Sequence, residues 1–250
     1  MAIPENIVVL GQRESELREQ SLGAIDGDER MSDHLDVIEA TMSALMDHVR
    51  DRPERSQAEL VVKRLGIRLF NNLASGLSQG LKGYYQQAFD AVRDVVELQF
   101  LFDDFGTDPE KPLRWALASK VEREREFRPA EVRKRLDARY KHVGDARRKA
   151  YQALSTMASH PSPDGFALIT PRDNLSVTGP FFEARFLDAL LAEMAQHGLG
   201  AGVNFTSLLA AQTEAEMAAK IVYAQRAGRW VERYMSKEVA EVMAADLGPS

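Results

Sequence analysis

Gly83-Tyr84-Tyr85-Gln86-Gln87-Ala88-Phe89-Asp90-Ala91-Val92-Arg93-Asp94-Val95-Val96-Glu97-Leu98-Gln99-Phe100 is the stretch on which the fold turns. From Val92 to Phe102 it is apolar almost all round, the pattern of a helix covered on every side, so it predicts the central rod of a helical protein. Phe105-Gly106 ends it. Two charges interrupt the apolar run. Arg93 and Glu97 stand four residues apart, share a helical face and lie in the same sector as Phe89 and Phe100. Polar groups taken out of water must find partners, so this pair predicts an interior network.

Upstream, Leu65, Leu69, Leu73, Leu77 and Leu81 repeat at steps of four, with Gly66, Gly76 and Gly80 among them. Each glycine costs a helix about 1 kcal/mol against alanine, and close helix–helix approach is the return. Before that, Leu35, Ile38, Met42, Leu45, Met46 and Val49 form one stripe after a candidate N-cap, Ser32. Residues 1–31 read as a flexible N-terminal arm with at most a short helix near Glu14 to Glu19. Downstream, Asp108-Pro109-Glu110 and Pro129 are helix starts. Residues 166–178 read as a short β-hairpin or ordered loop, and helix resumes at Pro180. Gly198-Leu199-Gly200-Ala201-Gly202 reads as a break, followed by a long helix from Thr206 to Ala245 with a kink at Gly228. The fold class is therefore all-α, an irregular multi-helix bundle, with residues 32–250 as a single helical domain.

Composition narrows the chemistry. The absence of cysteine excludes disulfides, thiolate metal sites and cysteine nucleophiles. No apolar run approaches the roughly 18 residues that span a bilayer, and Met1–Asn6 lacks the layout of a signal peptide. A cytoplasmic location in a bacterium, with no membrane contact, is the expectation. A net charge of −6 argues against binding nucleic acid over the whole surface. Residues 120–149, however, hold 12 Lys/Arg against 6 Asp/Glu, a local +6 that leaves −12 for the rest. Such a segment is either a solvated helix surface or an RNA-facing patch.

A second polar group follows the basic segment. Tyr151 and Ser155 lie four apart, and His160 stands at the helix end before Pro161. With Arg93 and Glu97 they are expected to form one buried polar network. No glycine-flanked elbow surrounds Ser155, which argues against a serine nucleophile. Glu97→Ala is expected to destabilise by about 3 kcal/mol if the pair is buried. No cofactor or metal motif is present in the sequence.

The Gly83-Tyr84-Tyr85 lead-in, the Arg93/Glu97 pair, Tyr151-x-x-Leu154-Ser155 and His160-Pro161 resemble a pattern in all-helical bacterial proteins, some found beside mobile elements and defence genes. The resemblance spans about Leu65 to Pro180 and extends, distantly, to the HEPN superfamily of helical RNA-cutting toxins and nucleotide-binding modules. That family cuts RNA without metal, using an Arg and a His separated by four to six residues at a dimer interface. The resemblance implies Arg135 and His142 as the catalytic pair, or Arg93 and His160 brought together by the fold. Leu136 departs from the polar residue the family prefers after its Arg. Two functions follow: a helical protein acting through protein–protein contacts or as a homodimer, and a HEPN-like metal-independent ribonuclease or toxin component.

Overall fold

The computed structural model describes residues 3–50, 52–140, 146–171 and 176–235. They form ten α-helices: α1 (Glu5–Asp26), α2 (Glu29–Val49), α3 (Gln57–Leu81), α4 (Tyr85–Phe105), α5 (Lys111–Leu117), α6 (Lys120–Glu126), α7 (Pro129–Arg139), α8 (Ala146–Leu154), α9 (Ala184–Leu208) and α10 (Glu214–Tyr234). A π-helical turn, Ser155–Ser159, continues α8, and a 3-10 helix spans Pro163–Ile169. The all-α expectation holds. No described helix is long and apolar enough to cross a membrane.

Local chemistry sets the helix starts. Asp28 accepts from Met31 N at 3.0 Å, Ser56 from Glu59 N at 3.1 Å and Thr213 from Glu216 N at 3.1 Å. Ser119 and Glu122 form a reciprocal capping box. Each side-chain cap stabilises its helix by about 1 kcal/mol. Ser32, the expected cap, lies one turn inside α2, and its hydroxyl donates to Ile25 O at 2.7 Å. Gly83, with φ +87°, turns the chain from α3 into α4. A methyl group there would lie 2.2 Å from Phe181 O, so no other residue fits.

Helix α4 is the core rod. Val92, Val95, Val96, Phe102 and Phe105 are each at most 1% exposed. It packs most heavily on α9 and α3, and α7, α8 and the π turn cover its other side. Tyr85, 1% exposed, receives a hydrogen bond at 3.0 Å from Glu183 N and so satisfies the entrance of α9.

Several expectations are corrected. No β-hairpin forms near 166–178 among the described residues. Ser162 accepts from Gly165 N and starts the 3-10 helix instead, and one backbone bond, Val177 N to Ile169 O at 2.9 Å, joins the two arms. The Gly198–Gly202 run is no break, because α9 passes straight through it to Leu208. A methyl group at Gly200 would sit 2.3 Å from Gln99 Nε2, and one at Gly202 2.4 Å from Tyr223 Oη, so these glycines admit neighbours. The long helix expected from Thr206 is two elements, with α10 continuing through Gly228 to Tyr234; the stretch beyond residue 235 lies outside the described residues. The N-terminal segment, where a helix is expected only near 14–19, carries the 22-residue α1.

Candidate functional site

Asp90, Arg93 and Glu97 recur along one face of α4, at i, i+3 and i+7, toward α8 and the π turn. Arg93 Nη1 donates to Glu97 Oε1 at 2.5 Å and to Tyr151 Oη at 3.3 Å, while Tyr151 Oη donates to Glu97 Oε1 at 2.8 Å. Arg93 Nε lies 3.5 Å from Asp90 Oδ1, which accepts from Ser159 Oγ at 2.5 Å. Three of the five residues expected to meet, Arg93, Glu97 and Tyr151, therefore do. The Arg93 and Glu97 side chains are about a quarter exposed, at 24% and 28%, so the pair is partly rather than fully interior.

The electrostatics hold this cluster in one state. Burial alone would lower the Arg93 pKa, but the Glu97 charge beside it raises it above the ordinary guanidinium value. Burial, reinforced by the hydrogen bond to Glu97, pushes the Tyr151 phenol up. Tyr151 thus stays protonated and donating, unsuited to act as a base. A guanidinium flanked by two carboxylates has no strong attraction left for an anion. The arrangement suits a clamp tying α8 and the π turn to α4.

Ser155 and His160 behave differently. Ser155 Oγ is buried without a hydrogen-bond partner. His160 is exposed; its backbone amide donates to Ser155 O at 3.1 Å, and no described bond ties its imidazole to the network. Its helix-end position puts His160 near the network in sequence, but the π turn carries its ring outward.

Arg135 is committed elsewhere. Its Nε and Nη2 grip Asp104 at 3.0 and 2.6 Å, and its Nη1 donates to Glu126 O at 2.7 Å. Asp104 is 1% exposed and also accepts from Lys111 Nζ at 2.8 Å. Burial would raise its pKa, but hydrogen bonds from Arg135 and Lys111 hold it below the usual carboxylate value. His142 lies outside the described residues. Much of the basic segment pairs with its own acids: Arg128 and Lys134 with Glu131, Arg125 with Glu126, and Arg147 with Asp137.

Sequence reading misses several interior polar groups, among them three that tie elements together: Asp104, Arg52 and His34. Asp104 passes for a helix-end acid, though its neighbours Phe100, Leu101, Phe102 and Phe105 mark it as a charge inside an apolar run. Arg52, in what reads as a helix interruption, is 5% exposed; it pairs with Glu216 at 3.1 Å and donates to Ala210 O at 3.0 Å. His34, 2% exposed, accepts from Trp230 Nε1 at 3.0 Å and joins α2 to α10. Residues so far apart in sequence carry no local signal of their contact.

Comparison of the chain with protein-family models, with curated proteins and with solved structures found no match at any of the three levels.

Proposed function

We propose that this is a helical protein that acts through protein–protein contacts, located in the cytoplasm, and that its interior polar clusters set its shape rather than perform chemistry. One observation carries the reading. Large apolar side chains stand in water on two helices: Ile7, Val8, Val9 and Leu10 on α1 at 38–58% exposure, and Met217, Ile221 and Val222 on α10 at 50–56%. Scattered exposed apolar residues are ordinary, but a stretch that is apolar on every side, as residues 7–10 are, is the pattern of a helix that is covered. A photo-crosslinking residue placed at position 7, 10, 221 or 222 in cells is expected to give adducts of discrete mass, with a control at exposed Glu124 giving none. Absence of adducts at all four positions would overturn the reading.

The HEPN-like ribonuclease is the second reading, supported by the basic segment and by the resemblance. The ion pair between Arg135 and Asp104 weighs against it, since that guanidinium already has its anion. His142→Ala is the cleaner probe, because Arg135→Ala also removes a structural contact. Undiminished RNA cleavage or growth arrest in His142→Ala would exclude this pair as the catalytic one.

A further inference from the structure

We propose that α10 is an acid-released latch: protonation of His34 and His48, two α2 imidazoles lying under its opposite ends, lifts α10 off α2 while the rest of the bundle stays folded. Helix α10 packs mainly on α2 and only lightly on α9. Of its 21 residues only Tyr223, Ala227, Trp230 and Val231 are buried, against 14 of the 25 in α9. A cleft of about 270 Å³, lined by Asp33, Asp36, Arg226 and Trp230 among others, lies between α2 and α10. Elements with few buried apolar contacts open at the lowest free energy, which puts α10 among the first to leave.

The hydrogen bonds fix the role of each ring nitrogen. Trp230 Nε1 can only donate, so His34 Nδ1, 3.0 Å away, is its acceptor. A proton added at Nδ1 sets two donors against each other and breaks the bond that holds α10 at Trp230. The Trp230 and Tyr234 rings pack on this imidazole, with centroids 5.6 and 4.7 Å away. Burial, then Arg30, opposes its protonation, while Asp188, Asp33 and Asp28 favour it. Those acids have other partners: Asp188 accepts from Arg30, Asp33 from Arg233 and Tyr234, and Asp28 from Met31 N.

At the other end of α10, Ala44 O can only accept, so His48 Nδ1 is the donor at 2.8 Å and Nε2 carries the lone pair. That nitrogen is buried with no hydrogen-bond partner, so a proton placed there finds no acceptor. Phe205 of α9 meets the ring edge-on. Burial, then Lys220 of α10 and Arg52, opposes protonation; the Ala44 bond and Glu216 of α10 favour it, and Glu216 is already paired with Arg52 at 3.1 Å.

Release opens both rings to water and to the ordinary imidazole pKa of about 6.5. In the docked state both lie lower. The released state therefore binds more protons below about pH 6.5. Each histidine shifts the balance toward release by up to about tenfold per pH unit, and the two together by up to about a hundredfold. The exposed pairs between the helices, Arg226 with Asp36 and Glu39 and Arg233 with Glu29 and Asp33, are screened by salt and hold α10 only weakly.

Trp115→Phe leaves Trp230 as the one tryptophan of the full-length chain. Between about pH 7.5 and pH 5 its emission maximum is expected to move to longer wavelength, while the helical circular-dichroism signal falls by no more than α10 alone accounts for. The steepness of that shift is expected to approach two protons, and one proton once His34→Asn is added, since its amide oxygen keeps an acceptor for Trp230. In the wild-type chain at about pH 5, amides of residues 223–231 are expected to exchange near the unprotected rate while those of residues 92–105 stay slow. A Trp230 maximum that holds until all helical signal is lost, or loss of protection in both segments together, would overturn the latch. Two-proton steepness that survives His34→Asn would overturn the part given to His34.

Discussion

Arg135 and Asp104 show how a single residue's partner decides what it can do. The carboxylate is inside an aromatic-rich helix end, and its two cations are the reason it remains ionised there. Arg135→Ala leaves that charge with Lys111 alone and is expected to destabilise by about 3 kcal/mol in urea unfolding. Glu97→Ala is expected to cost only about 1 kcal/mol, less than full burial would imply, since water reaches both partners of the Arg93 pair. Equal losses for the two variants would contradict the difference in burial. The pairing of Arg93 with Glu97 is legible in sequence because both lie on one helix. Tyr151 is legible as a polar group on an adjacent helix. Asp104–Arg135 is not, because the partners are 31 residues apart and nothing in the local pattern joins them.

At the scale of elements, the glycines separate into two kinds that sequence presents as one. Gly202 is surrounded: a methyl group there would lie 2.4 Å from Tyr223 Oη and 2.7 Å from Thr41 Cγ2, so Gly202→Ala is expected to destabilise by about 2 kcal/mol through overpacking. Gly23 is exposed with open space around it, and Gly23→Ala is expected to stabilise by up to about 1 kcal/mol. Thermal melts of the two variants should therefore move in opposite directions. The leucine row of α3 and the apolar run of α4 are readable because period and burial coincide. The glycine-rich run in α9 imitates a break because helix propensity, a local quantity, is outweighed by the tertiary contacts those glycines allow. The absent hairpin has a similar origin: apolar residues at 166–169 suggest a strand, but the Ser162 cap and Pro163 favour a 3-10 turn.

For the whole molecule, two buried imidazoles tie stability to pH. Burial, chiefly, lowers the pKa of His34 and of His48 below the ordinary 6.5. Between that folded value and 6.5 the unfolded chain binds more protons than the folded one, so stability is full above about pH 6.5 and falls as the pH drops below it. Denaturation midpoints at a series of pH values check this; in His34→Asn, whose amide oxygen keeps an acceptor for Trp230, the slope is expected to lessen. The apolar stretches at Ile7–Leu10 of α1 and at Met217, Ile221 and Val222 of α10 stand outside an otherwise closed core. Photo-crosslinking in cells at positions 7, 10, 221 and 222, with position 124 as the control, tests most directly whether these stretches are contact surfaces. Adducts of discrete mass at one or more of the four positions and none at the control is the predicted result. No adduct at any of the four would contradict it.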